Sequence, residues 1–222
     1  MAKDDELAAR LGRLDACAVS DALDRLGLAG AVAGISPLTS LRRIAGRVHT
    51  VRLVAKGKAE QAGPPRHLGT TAIESSAPGE IIVIEQRSGI DAASWGGILS
   101  QGAKLKGIAG VIADGPVRDV DEARALDFPV FARSATARTA RDRIVEEATD
   151  RPVTVGEVVV HPGDYALADG SGVVFLPAAE AARIIAAAEQ IAAREAAMGQ
   201  ALREGRRITE VMGADYEHML KR

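Results

Sequence analysis

Gly107-Ile108-Ala109-Gly110-Val111-Ile112-Ala113-Asp114-Gly115-Pro116-Val117-Arg118-Asp119 is the stretch that decides the fold class. Upstream of it, Ile98, Leu99, Ala103 and Leu105 keep a roughly helical spacing from Gly96 to Lys106. Gly107 and Gly110 end that helix, because glycine accepts the left-handed backbone that closes a helical turn. Val111-Ile112-Ala113 is then a short apolar strand, and Asp114-Gly115-Pro116 reads as a turn at its carboxyl end. Asp119 to Leu126 has the pattern of a second helix and Pro129-Val130-Phe131 begins another strand. Helix, strand, helix, strand in this order is the signature of an α/β layer, and loops at the carboxyl ends of such strands are where ligands bind.

Working outward, Leu7, Leu11, Leu14, Ala18, Ala22 and Leu26 predict an amino-terminal helix in two pieces joined near Ser20, with Ser20-Asp21 capping the second. Val48 to Val54 alternates as a half-exposed strand does, Leu68 to Ser76 reads as a short helix, and the unbroken apolar run Ile81-Ile82-Val83-Ile84 as a buried strand. Val153 to Val160, Tyr165 to Ala168 and Val173 to Leu176 are short strands split by Pro-Gly and Gly-Ser-Gly turns, an antiparallel section that makes the sheet mixed. From Ala178 to about Arg203 runs an Ala-rich helix longer than most globular helices, expected to pack partly on a neighbouring subunit.

A chain of 222 residues, 47% hydrophobic and with 23 glycines, is expected to form one domain over 1–222, with 178–222 as a carboxyl-terminal helical arm. Twenty-eight basic and 30 acidic residues are interspersed, so no basic footprint for nucleic acid stands out. Cys17 is the single cysteine, which excludes an intramolecular disulfide and a thiolate metal cluster. The acidic start, Met1-Ala2-Lys3-Asp4-Asp5-Glu6, is unlike a signal peptide and no apolar run approaches membrane-spanning length, so the cytoplasm is the expected address and a membrane is not an expected partner.

Arg118-Asp119-Val120-Asp121-Glu122 places a fixed cation beside carboxylates just after the central glycine turn. An Asp oxygen is a hard ligand suited to Mg²⁺ or Mn²⁺, and a guanidinium fork matches a substrate carboxylate. The same residues also fit a plain capping box, Asp119 with Glu122 three residues on. Ser94-Trp95-Gly96-Gly97 opens a helix, where free amides and the dipole favour an anion, or where two glycines simply allow close packing. His49, His67, His161 and His218 have no i, i+4 pair for zinc, and His67 and His161 read as structural. Ser20, Ser134 and Ser171 lack a nucleophile elbow, no phosphate loop is present, and Glu189 and Glu195 fit a solvated helix face.

Taken in order, Val19-Ser20-Asp21-Ala22-Leu23, Pro78-Gly79-Glu80, Trp95-Gly96, Asp114-Gly115-Pro116-Val117-Arg118-Asp119, Phe128-Pro129-Val130 and Asp169-Gly170-Ser171-Gly172-Val173 resemble the RraA-like family. That family includes 4-hydroxy-4-methyl-2-oxoglutarate aldolases and the regulator of ribonuclease E activity. The resemblance implies a swivelling β/β/α fold with a mixed sheet and a long carboxyl-terminal helix, assembled as a homotrimer or dimer of trimers with sites between subunits. It implies Asp119 as the ligand of Mg²⁺ or Mn²⁺, Arg118 as the binder of the pyruvyl carboxylate and enolate, and the backbone of Gly96, Gly97, Ile98 and Leu99 as the amides that meet a 2-oxo acid. Glu195 corresponds to the glutamate that a neighbour's terminal helix lends to the site. The implied reaction is retro-aldol cleavage to pyruvate, the 4-hydroxyl losing its proton to a metal-ordered water, with oxaloacetate decarboxylation through the same enolate. The alternative is a ring protein that regulates a partner such as a ribonuclease. Methyl transfer, an old label of the family, lacks an S-adenosylmethionine loop in this sequence. One departure is visible, since aldolases of the family usually carry Asp or Glu where this chain has Gly97.

Overall fold

The computed structural model describes residues 6–59 and 67–213. Helix α1 (Glu6–Leu11) and helix α2 (Ala16–Leu26) are the two amino-terminal pieces. The break falls at 12–15 and not near Ser20: the Asp15 side chain accepts the Ala18 N–H at 2.9 Å and caps α2, which leaves Ser20 and Asp21 in mid-helix. Short strands β1 (Ala31–Val32) and β2 (Ser36–Pro37) lead to β3 (Ile44–Ala55), which extends the expected strand at its start. Next come α3 (Thr70–Ser75), β4 (Ile81–Gln86), α4 (Gly97–Lys106), β5 (Gly110–Val117), α5 (Val120–Ala125) and β6 (Val130–Ala135).

Here the expected turn at Asp114-Gly115-Pro116 does not form. β5 runs through it to Val117, and the proline is accommodated by a register shift between Ala113 and Pro116 against β6. β7 (Ile144–Thr149) carries only one fully buried side chain, and its pattern gave no strand signal. Val153 to Val160 is not one strand but a hairpin, β8 (Val153–Val155) and β9 (Val158–Val160), turned at Gly156 with φ 59°. β10 (Tyr165–Asp169), β11 (Gly172–Leu176), α6 (Ala181–Arg203) and α7 (Ile208–Val211) complete the described chain.

The sheet order is β1-β11-β10-β3-β4-β5-β6-β2, with β7 also on β3. β3, β4, β5 and β6 are parallel neighbours, and the remaining pairs are antiparallel. Alternation decides the layers. Ile82 and Ile84 of β4 face a core with Ala72 and Ile73 of α3, Leu99 and Ala103 of α4 and Ala123 of α5. Ile81 and Val83 face the other way, onto Ala166, Ala168, Val173 and Phe175 of the antiparallel end. On the far side of that end, Leu167 and Leu176 pack on Val19 and Leu23 of α2 and on Ile184, Ile185 and Ile191 of α6. This is an α/β fold with a mixed sheet, the β/β/α layering and the long carboxyl-terminal helix. Full burial of each such side chain contributes about 1.5–3 kcal/mol, so the first half of α6 belongs to the core and only its later turns stand in solvent. Among the described residues no helix is long and apolar enough to cross a membrane.

Candidate active site

The carboxyl end of β5 delivers Arg118 and Asp119 beside the amino terminus of α4. The strand-like run 94–96 is fastened to it: Ser94 N–H donates to the Pro116 carbonyl at 2.8 Å, Ser94 Oγ donates to the same oxygen at 2.9 Å, and Arg118 N–H donates to the Trp95 carbonyl at 2.9 Å. Trp95 is buried, and its indole N–H donates to Ser100 Oγ at 2.9 Å, which in turn donates to the Gly96 carbonyl at 3.1 Å. The turn that starts α4 is therefore braced on both sides.

Asp119 has the backbone of a left-handed turn, φ 57° and ψ 39°, and its side chain makes no capping bond to α5. The capping-box reading thus fails at Asp119. Its Oδ2 instead accepts the Gly97 N–H at 2.9 Å and lies 3.3 Å from Arg118 Nε. An ionised oxygen at a helix amino terminus is favoured by the unpaired amides and the dipole. Gly97 has therefore given its amide to Asp119, while the amides of Ile98 and Leu99 meet no acceptor among the described residues.

A cavity of about 120 Å³ opens in front of this arrangement, lined by Gly96 to Leu99, Arg118, Asp119, Trp95 and His67 among others. Gly96, Gly97, Ile98, Leu99, Arg118 and Asp119 are thus brought to one place. Glu195 is not: it stands on α6, and burial together with the carboxylates of Asp15 and Asp21 pushes its carboxyl up. Asp21 is pushed up too, by burial and then by Asp24 and Asp15.

Glu122 is the residue whose part the sequence reading missed. A Cβ on Gly97 would stand 1.8 Å from Glu122 Oε2 and 3.2 Å from Asp119 Cβ, and one on Gly96 would stand 2.8 Å from Asp119 Oδ2. The Glu122 carboxylate thus occupies the space that a side chain at position 97 would fill. Gly97 and Glu122 are one feature seen from two helices, 25 positions apart in sequence, so no local spacing announced it.

The RraA-like model, described as Aldolase/RraA, matches residues 16–175. The chain belongs to the RraA-like family. It is 30% identical over 185 residues to a putative 4-hydroxy-4-methyl-2-oxoglutarate aldolase of Halalkalibacterium halodurans, covering 83% of this chain and 82% of that one. It is also 30% identical over 159 residues to Protein DlpA of Legionella pneumophila, where the match covers 72% of this chain but spans only a quarter (25%) of that protein's length. A crystal structure of an uncharacterized protein from Pseudomonas syringae superposes with a TM-score of 0.84 at 26% identity, covering 96% of this chain and 100% of that one.

Proposed function

We propose that this chain is a metal-dependent lyase that cleaves 4-hydroxy-2-oxo acids of the 4-hydroxy-4-methyl-2-oxoglutarate type to pyruvate, and that decarboxylates oxaloacetate in the same cavity. The single observation that carries this reading is the Asp119 carboxylate, turned away from its own helix and toward a cavity that it shares with Arg118 and with the Ile98 and Leu99 amides, which meet no acceptor among the described residues. The aldolase name of the relative from Halalkalibacterium halodurans supports the reaction class.

The donor set fits Mg²⁺ or Mn²⁺. Among the described residues no group of three His, Cys, Asp or Glu side chains could cage a metal, which argues against a closed site of zinc type. Asp119, with Glu122 beside Gly97, offers the one or two carboxylates that a hydrated Mg²⁺ uses, leaving room for substrate oxygens. When bound, such an ion supplies Lewis acidity at the keto oxygen of the substrate.

The remaining work falls to the chain. The amides of Ile98 and Leu99, at the amino terminus of α4, take the substrate carboxylate. Gly96 and Gly97 line the cavity and carry no side chain, so a ligand approaches the backbone closely. Arg118 offers fixed positive charge where the enolate forms as the bond to C3 breaks. Its backbone N–H donates to the Trp95 carbonyl, and its guanidinium Nε lies 3.3 Å from Asp119 Oδ2. Glu195 reaches the site of a neighbouring subunit in a homotrimer or dimer of trimers, which also covers the exposed Ile98 and Leu105 on α4 and the solvated later turns of α6. The whole assembly works in the cytoplasm on small 2-oxo acids and needs no nucleic acid.

The competing reading is a ring protein that regulates a partner such as a ribonuclease, favoured by the lack of a carboxylate on residue 97; the Glu122 carboxylate beside Gly97 supports the enzyme reading instead. Pyruvate release from 4-hydroxy-4-methyl-2-oxoglutarate and from oxaloacetate, coupled to lactate dehydrogenase, tests the proposal. Release that requires Mg²⁺ or Mn²⁺ and stops with chelator is expected. Absence of release from every oxo acid tried, with either metal, would contradict it.

A further inference from the structure

β7 departs from regular pairing at one place. Leu53 pairs with Glu146 and Arg52 with Ala148, so Glu147 is an extra residue on β7, a β-bulge. The bulge resets the two-residue alternation. Thr149 pairs with Val51, and Val51 and Leu53 both belong to the core shared with α3 and α4. Glu146 and Thr149 therefore come to that same face of the sheet, although they stand three residues apart. Thr149 Oγ1 donates to Glu146 Oε1 at 2.6 Å, while Glu147 lies 3.8 Å from Arg52 Nη1 instead.

The second Glu146 oxygen reaches a different element. Oε2 accepts the Gly69 N–H at 2.7 Å, so both oxygens of this carboxylate are used. Gly69 heads α3 with φ 73°, a left-handed conformation that favours glycine. Its backbone also lies on the indole: a Cβ there would stand 3.0 Å from Trp95 Cζ3 and 3.8 Å from Leu99 Cδ1. Leu68, Trp95 and Leu99 all line the cavity. Trp95 in turn accepts the Arg118 N–H on its carbonyl at 2.9 Å and braces the first turn of α4 through Ser100. An unbroken run of contacts thus leads from the bulge on β7 to the guanidinium and the amides that line the cavity.

We infer that Glu146 is a positioning residue: it holds Gly69 on the indole of Trp95 and so sets the wall against which the oxo acid binds. For what the cavity binds, this rests on the reading above. Glu146 touches no reacting atom and acts through Gly69 and Trp95. Its effect is pre-organisation, since a wall already in place costs nothing to order when the ligand arrives.

In the full-length protein with Mg²⁺, Glu146→Ala leaves the Gly69 N–H without its acceptor. KM for 4-hydroxy-4-methyl-2-oxoglutarate is expected to rise about tenfold, the scale of one backbone donor left unpaired. The dissociation constant of oxalate, read by quenching of Trp95 fluorescence, should rise in parallel, and kcat should change far less. The emission of Trp95, the only tryptophan in the chain, should itself shift to the red. Glu146→Asp draws the oxygen back from Gly69 and should show the same changes at smaller scale. Glu146→Gln keeps an oxygen for Gly69 and an amide that donates to Thr149, so it should restore most of the affinity and the parent emission. Glu147→Ala removes the neighbouring carboxylate of the same strand and should leave affinity and emission unchanged.

Parent-like affinity and emission in Glu146→Ala and Glu146→Asp, or the same losses in Glu147→Ala, would overturn the inference while leaving the aldolase reading standing. A parent protein that binds oxalate but releases no pyruvate from any oxo acid would overturn that reading alone, since oxalate affinity and Trp95 emission still report on the wall.

Discussion

At Asp119 the backbone accepts a left-handed turn that costs an L-residue roughly 1–2 kcal/mol, and what it gains is a carboxylate aimed at Gly97 instead of at its own helix. The type of this residue was legible in the sequence, as was that of Arg118, because an acid and a guanidinium after a glycine turn announce themselves. The direction of the side chain was not, since one (φ, ψ) choice separates a helix cap from a ligand and nothing in the spacing encodes it. Glu122 was illegible for a related reason: its place depends on the absence of a Cβ 25 positions earlier, a contact between two helices. Glu122→Ala is expected to weaken apparent metal affinity about 10- to 100-fold, the effect of losing a carboxylate that supports a metal ligand, read as the Mg²⁺ concentration giving half-maximal pyruvate release. Gly97→Ala drives a methyl into the Glu122 carboxylate and should lower kcat/KM by at least about tenfold, equivalent to about 1.4 kcal/mol. The double variant Gly97→Asp, Glu122→Ala moves the acid from α5 to α4 and should recover part of what Glu122→Ala loses; a double variant no better than the single one would show that the two positions are independent.

Elements were predicted best where burial imposes a pattern. Ile81 to Ile84 is apolar on both faces because β4 lies between parallel neighbours β3 and β5, and the sequence shows it directly. β7 is nearly all half-exposed, so it carries no such pattern, and the β8–β9 turn rests on one glycine inside a valine-rich run that reads as continuous. At the amino terminus the capping residue decides the boundary. Asp15→Ala should cost about 1 kcal/mol, a fall of roughly 2–4 °C in Tm for a chain of this size, whereas Ser20→Ala should leave Tm within error. A calorimetric scan of both separates the two boundaries. The α2–α6 contact also sets a pH response. Asp21 and Glu195 hold their protons to higher pH in the folded chain than their ordinary values of 3.8 and 4.5. The folded state therefore binds more protons than the unfolded one just above those values, so their contribution to stability falls as pH rises through that window. Glu189 works in the opposite sense: its hydrogen bonds to the Arg10 guanidinium hold its carboxyl low, so its contribution is lost as pH falls through the depressed value. Glu195→Gln should therefore raise Tm slightly at pH 7 and lose that gain near the ordinary carboxyl range. The same variant should slow pyruvate release if the helix serves a neighbour's cavity. A variant with full activity would confine Glu195 to the α2–α6 contact.

For the molecule as a whole, the layer class was legible from the helix-to-strand order around Gly107 to Asp119, but the way the antiparallel end meets the parallel strands across one core was not, because it depends on contacts between segments more than eighty residues apart. The length of α6 was visible too, and the solvated state of its later turns is the structural motive for an assembly. Light scattering on the purified protein is expected to give three or six times the mass of one chain, and a monomer would leave Glu195 with no cavity to complete. The claim on which the rest turns is that Asp119 and Arg118 together stabilise the enolate of pyruvate. It is tested without knowing the natural substrate by following the methyl protons of pyruvate in D₂O by NMR. The account predicts enzyme-catalysed exchange of those protons for deuterium that requires Mg²⁺ or Mn²⁺ and disappears in Asp119→Ala and Arg118→Ala. Exchange at the uncatalysed rate in the parent protein, or exchange that persists unchanged in both variants, would contradict it.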